Sequence, residues 1–299
     1  MVKFDSAAPY ETEEFDVPFA RPRGIELLAR VYRPRGNTSG LPALVDVHGG
    51  AWNSNDRTVG AQHGRALAAC GLVVASLDFR QGPDHQHPAA SADVAAGVRW
   101  VRANARRLGT DGQRVGLMGS SSGGQLALLV ALKPGAPEHA GTPILLSDGS
   151  PAPAAGDDSV AFVVALYPVA DPLARFRYVL TREAEPVEPG GFNAKRLIAS
   201  HRSYFPHEAA MAEASVTRIV AEGGARTLPP VWVAQPELDD NVPAAITEAF
   251  VRAYEGAGGR IEREHFAGAR HGFITRSEPA AEKCIALVRD FIGRQLARA

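Results

Sequence analysis

The pentapeptide Gly119-Ser120-Ser121-Ser122-Gly123 constrains this chain more than any other stretch, because of what flanks it. Residues 115–118 read as a strand and residues 122–132 as an apolar helix, so the backbone must turn sharply between them. Such a turn holds its central serine in a strained conformation, and only small residues fit two positions before and after it. Gly119 and Gly123 meet that demand. The turn lifts the Ser121 hydroxyl clear of the backbone. It also aims the first helical N–H groups at the same point, where negative charge is favoured. A Ser/Gly-rich loop capping a helix is the plainer alternative.

A second signal upstream weighs against that alternative. Residues 43–47 read as a buried strand that runs into His48-Gly49-Gly50-Ala51-Trp52. Glycines let a backbone approach another atom closely, with no Cβ in the way. The N–H groups of Gly50 and Ala51, with that of Ser122, are the candidate donors to an oxyanion, and Gly49 is the fallback. His48 reads as a supporting residue that pins the glycine turn by hydrogen bonds, in preference to a base.

An acid and a histidine follow in chain order. Residues 229–234 form a strand led by a proline pair, which ends in Glu237-Leu238-Asp239-Asp240-Asn241-Val242-Pro243. Residues 260–266 alternate as a last strand, ending in Gly268-Ala269-Arg270-His271-Gly272-Phe273. Groups at the ends of neighbouring parallel strands converge on one site at the carboxyl edge of a sheet. Ser121 and His271 are candidate catalytic residues, and Glu237, Asp239 and Asp240 are all on offer for the acid.

These residues carry a resemblance. The chain resembles the α/β-hydrolase esterases and lipases of the hormone-sensitive-lipase-like group. It is most similar to the branch with feruloyl-esterase-like and kynurenine-formamidase-like enzymes, whose loop reads H-G-G-x-W. The matching pieces are His48 to Trp52, Leu77-Asp78-Phe79-Arg80 with Pro88-Ala89-Ala90 and Asp93, residues 115–124, Leu166-Tyr167-Pro168, residues 239–243 and residues 267–273. Two positions depart from the pattern: Ala51 stands where glycine is commoner, and Gln235-Pro236 where a glycine is usual. The acid of the family stands four residues before the proline of a D-x-x-V-P turn, the spacing of Asp239 to Pro243. The resemblance implies a serine hydrolase of a small carboxylic ester, with Trp52 in the supporting loop. The same residues would serve an amidase of formamidase type. A ligand-binding protein on a hydrolase fold is the reading from another class.

The rest of the chain agrees. Residues 1–299 read as one α/β-hydrolase domain, with a doubly wound, mostly parallel central sheet. Residues 1–20 read as an irregular arm with a solvated acidic cluster at 11–16. Residues 25–32 read as an early edge strand, ended by Pro34 and the Gly36-Asn37-Thr38-Ser39-Gly40 turn. Val94, Val98, Val101, Ala105 and Leu108 recur at helical spacing. The rhythm breaks at residues 171–228, too long for a structureless loop and read as an inserted cap or lid. Pro186, Pro189, Gly190 and Gly191 punctuate its first half, and residues 196–220 have helical character. Arg175, Arg177, Arg182, His201, Arg202, Tyr204, Phe205 and His207 within it read as surface or packing residues in preference to substrate-binding ones. Residues 134–158 read as a surface loop near the same mouth.

Composition bounds the partners. A net charge of −1 offers no basic footprint for nucleic acid or anionic lipid. No apolar run is long enough to span a membrane, and residues 1–5 lack the apolar core of a secretory signal. Cys70 and Cys284 sit in apolar runs and read as core residues. The expected setting is the cytoplasm, with a small-molecule ester or amide as partner and a homodimer as one arrangement. No dinucleotide turn, P-loop or C-x-x-C motif is present, and the chemistry needs no cofactor. Asp84, His85 and His87 could be drawn as a metal cluster, but no accompanying ligand motif supports it.

Overall fold

A computed structural model describes residues 2–36, 38–152, 156–187 and 191–298. Met1, Asn37 of the expected turn, residues 153–155 of the second expected loop, and Pro189 and Gly190 of the expected cap lie outside them. The described strands are β1 (Thr12–Ala20), β2 (Leu27–Pro34), β3 (Leu41–Val47), β4 (Val73–Leu77), β5 (Thr110–Ser120), β6 (Ile144–Leu145), β7 (Pro151–Ala152), β8 (Val163–Leu166), β9 (Val231–Leu238) and β10 (Ile261–Arg270). They form one sheet in the order β10-β9-β8-β5-β3-β4-β2-β1-β6-β7. The pairs from β4 through β3, β5, β8 and β9 to β10 are parallel, while β2, β1, β6 and β7 extend the sheet antiparallel.

Every residue of β3, β4 and β8 is buried, as expected of central strands covered on both faces. The covering helices include α1 (Ala61–Ala68), α2 (Ala89–Ala103), α3 (Ala105–Leu108) and α4 (Ser122–Leu132). The helical period read across 94–108 is therefore split in two. Asn104 breaks it, turning its side-chain amide onto the carbonyls of Trp100 and Leu145.

Four further helices lie between β8 and β9: α5 (Pro172–Thr181), α6 (Ala194–Tyr204), α7 (Glu208–Glu213) and α8 (Val216–Ala221). Each opens on a side-chain cap. Asp171, Asn193, His207 and Ser215 accept from the backbone N–H three residues on. The chain closes with α9 (Ala244–Gly256) and α10 (Pro279–Leu296).

Strand register positions the site. Val47 pairs with Leu77 and with Gly119, Ser120 with Leu166, and Leu166 with Ala234. The carboxyl ends of β3, β5 and β8 therefore stand level, and β9 and β10 run on beyond them through the pair Leu238 and Arg270.

Three sequence readings are corrected. Residues 12–20 are a strand and not part of an irregular arm. Their acidic cluster is matched across the sheet: Glu13 pairs with Arg33, and Asp16 with Arg30 and Arg57. The alternation was masked because the outward positions carry charges whose partners come from β2 and beyond. Second, β2 lies between β1 and β4, so it is not an edge strand. Third, none of the described residues of 134–158 lines the cleft at Ser121. They add β6 and β7 to the far side of β1, and they bury Asp158 against Arg99 at 3.3 Å.

Candidate active site

Ser121 stands between β5 and α4 at φ 53° and ψ −118°, a conformation that costs a non-glycine residue about 1–3 kcal/mol. Neighbouring glycines make room for it. A Cβ on Gly119 would meet the Gly123 carbonyl oxygen at 2.3 Å, and one on Gly123 would meet the Val47 oxygen at 2.1 Å. The Ser121 N–H donates to the Leu166 carbonyl at 2.9 Å, and its own carbonyl accepts from Val169 at 3.1 Å. These bonds to β8 and the chain after it hold the strained turn in place.

The side chain of Ser121 lies 2.9 Å from His271 Nε2. His271 Nδ1 is 2.9 Å from Asp239 Oδ2 and 3.1 Å from Oδ1. An ionised carboxylate only accepts, so Nδ1 carries the proton and Nε2 presents its lone pair to the serine hydroxyl. Asp239 Oδ1 also accepts from the N–H groups of Asn241 and Val242, at 3.0 and 2.8 Å. The side chain of Asp239 is 1% exposed and that of His271 16%. Tyr167 packs edge-on against His271, with ring centroids 4.7 Å apart.

The other two acids point elsewhere. Glu237 accepts from the Gly268 N–H at 2.7 Å. Asp240 offers its backbone carbonyl to the Tyr178 hydroxyl and to Arg182. The turn's own N–H groups, those of Asn241 and Val242, are taken by Asp239.

The loop after β3 presses against this serine. A Cβ on Gly49 would sit 3.0 Å from the Ser120 carbonyl oxygen and 3.1 Å from Ser121 Cβ. Gly50 takes φ +121°, and a Cβ there would meet the Ser54 oxygen at 2.1 Å, so glycine is required. Ala51 occupies the left-handed region at φ 52°. Among the described residues, the Gly50 and Ala51 N–H groups have no backbone partner. The Ser122 N–H belongs to the first turn of α4, whose amides have no intrahelical acceptor.

His48 and Trp52 brace the loop. His48 Nδ1 donates to the Gly49 carbonyl at 2.7 Å, and the ring stacks on Phe79 at 4.3 Å. Burial holds its pKa below the ordinary imidazole value. Trp52 is fully buried, stacks on Tyr204 at 5.4 Å and donates through Nε1 to Gln125. The resemblance motif around Arg80 and Asp93 is a paired guanidinium and carboxylate at 2.7 Å beneath this region.

The cleft at Ser121 and His271 has a volume of about 310 Å³, and Gly50, Ala51, Tyr167, Arg175, Arg196 and Asn241 are among its walls. Arg175 and Arg196 are functional candidates that the sequence reading missed. Arg175 was read as a surface or packing residue, and nothing in the sequence marks it otherwise. Asn241 had a signal, since it lies inside the D-x-x-V-P turn. Asp84, His85 and His87 do not assemble, and no group of three or more potential metal ligands forms among the described residues. Cys70 and Cys284 are buried and unpaired. No described helix is long and apolar enough to cross a membrane.

Comparison with known proteins agrees with this geometry. The BD-FAE family model matches residues 30–254. The chain is similar to the esterase LipC of Mycobacterium tuberculosis, 28% identical over 267 residues that cover 87% of this chain and 61% of LipC. It therefore spans less than two thirds of that relative's length. Among solved structures it is similar to a hyperthermophilic esterase from the archaeon Pyrobaculum calidifontis. The TM-score there is 0.74 at 25% identity, covering 98% of this chain and 86% of that one. EstE1, a thermostable carboxylesterase from a metagenomic library, gives 0.74 at 25% identity, covering 96% and 89%. With the sheet order, the serine turn and the glycine loop of the α/β-hydrolase esterases and lipases, and a family match across residues 30–254, the chain belongs to the BD-FAE family.

Proposed function

We propose that the chain is a carboxylic ester hydrolase working through Ser121, His271 and Asp239 by way of an acyl-enzyme. The observation that carries this reading is the unbroken line of hydrogen bonds from Asp239 through His271 to Ser121 at the floor of an open cleft. Ser121 Oγ attacks the acyl carbon while His271 Nε2 takes its proton. The N–H groups of Gly50, Ala51 and Ser122 receive the negative charge that develops on the carbonyl oxygen. Collapse breaks the ester C–O bond, and the imidazolium gives its proton to the departing alkoxide. Water, deprotonated by His271, then attacks the acyl-enzyme and frees Ser121 and the acid. Asp239 holds the imidazole in one tautomer and stabilises its charged form throughout.

Residues 171–228 act in this proposal as a cap within a single domain, since Arg175, Arg196 and Leu197 contribute to the cleft wall. Trp52 is buried against Tyr204 and does not reach the cleft, so it gives no ground for an amidase over an esterase. The two buried, unpaired thiols suit a reducing compartment, and the cytoplasm is part of the proposal. The deciding experiment is a panel of p-nitrophenyl esters of graded acyl length beside aryl formamides. Ester turnover with saturable kinetics is expected. Turnover of formamides alone would transfer the reading to an amidase, and a folded chain inert to all of them would make it a binding protein.

A further inference from the structure

Arg175 is fully buried, yet among the described residues no carboxylate lies within ion-pair distance of its guanidinium. Its Nη1 donates to the Asn241 side-chain oxygen at 2.6 Å, and its Nε approaches His201 Nε2 at 3.3 Å. Nη2 is buried without any partner. The guanidinium carbon sits 5.6 Å above the Trp52 ring. Arg175 is thus wedged between the loop that follows β3 and the turn that carries Asp239, at the wall of the cleft.

A buried cation without a counter-ion is costly, and a neutral residue could bridge Asn241 and His201 without that cost. A second guanidinium increases the cost. Arg196 lines the same cleft, and among the described residues no aspartate or glutamate does. Burial, and then the charge of Arg196, push the pKa of Arg175 down to about 9. Asp239, whose charge favours the ionised guanidinium, is already engaged by His271, Asn241 and Val242. Among the described residues, the cleft wall therefore carries positive charge and no carboxylate to neutralise it.

Building on the esterase reading, we infer that the substrate is an ester carrying a free carboxylate, held by Arg175 and Arg196 while Ser121 attacks the ester carbonyl. A planar guanidinium matches a carboxylate in both shape and charge, and a water-poor wall strengthens the pair. The carboxylate belongs either to the acid half or to the alcohol half of the ester, and two substrate pairs separate these sources.

The test compares kcat/KM for monoethyl adipate with ethyl adipamate, and for 4-acetoxybenzoate with 4-acetoxybenzamide. Within each pair a neutral amide of similar shape replaces the carboxylate. The readout is the ratio of anionic to neutral rates inside each variant, so a general loss of activity cancels. The wild type is expected to favour the anionic member of at least one pair by about tenfold or more. Arg175→Gln should bring that ratio near one and Arg175→Lys should retain part of it. Arg196→Gln, at an exposed position, should lower it chiefly through KM. Ratios near one in the wild type, or an unchanged ratio in all three variants, overturn the inference.

Thermal shift with Ser121→Ala keeps the test independent of turnover. Monoethyl adipate should raise Tm where ethyl adipamate does not, and Arg196→Gln in that background should remove the difference. If no ester is hydrolysed, the esterase reading falls and this shift alone decides whether the anion site exists. Equal shifts for both compounds would overturn it.

Discussion

His271 Nε2 lies 2.9 Å from the hydroxyl oxygen of Ser121, although 150 residues separate them in the chain. Three parallel crossover connections bring them together, since β5 and β10 are three places apart in the sheet and deliver their carboxyl ends to the same edge. On the proposed mechanism, Ser121 is therefore the serine of the three that reacts. Ser121→Ala is expected to abolish ester turnover and leave stability within about 1 kcal/mol of wild type, because the removed hydroxyl carries little packing. A fluorophosphonate followed by peptide mass spectrometry checks the register, and labelling at Ser120 or Ser122 would displace Ser121.

Asp239 is the only one of three neighbouring acids that touches His271. Asp239→Asn should keep the fold and lower kcat by up to about 10⁴, as expected when the imidazole loses its orienting acceptor. Asp240→Asn and Glu237→Gln should each cost less than about tenfold, because one contributes a backbone carbonyl and the other a loop contact. Steady-state kinetics on the three variants decide the matter. A larger loss at Asp240 than at Asp239 would be incompatible with the assignment.

Gly123 bears the tightest approach of the serine turn. A methyl group there would overlap the carbonyl oxygens of both Val47 and His48, at 2.1 and 2.3 Å. Both are backbone atoms and cannot rotate away. Gly123→Ala should therefore destabilise the protein by about 3 kcal/mol or more, or prevent folding, by the overpacking it forces. Gly141→Ala, with nothing within 4 Å of the added carbon, is the matched control. Similar denaturation midpoints for the two variants would disprove the close approach.

Burial against Tyr204 and Phe205 pushes the His87 pKa from 6.5 down to about 4. The unfolded chain then binds a proton that the folded one refuses between those values. Stability contributed by neutral His87 is complete above pH 6.5 and is lost as pH falls towards 4. His48, His139 and His201 are shifted in the same direction by burial, so the whole protein should weaken on acidification. His87→Gln should flatten the dependence of unfolding free energy on pH by up to about one proton. Urea melts at pH 7.5 and 5 measure this, and identical slopes for variant and wild type would contradict it.

The sequence by itself determined the serine turn, the glycine loop and the order of serine, acid and histidine. Those depend on short-range sterics that leave few residue choices, as at Gly50, Gly119 and Gly123. It determined the central strands too, because continuous apolar runs such as those of β3 and β4 fit only a sheet covered on both faces. It did not determine β1, whose acidic residues read as solvated until arginines from β2 and the β3-to-α1 connection were placed opposite them. Nor did it decide the choice between Asp239 and Asp240 on physical grounds, since adjacent carboxylates differ only in which way the turn aims them. Arg175 was the least legible of all. A single arginine in a helix normally reaches solvent, and only the packing of α5 between Trp52 and Asn241 removes it from water and leaves its charge facing the cleft.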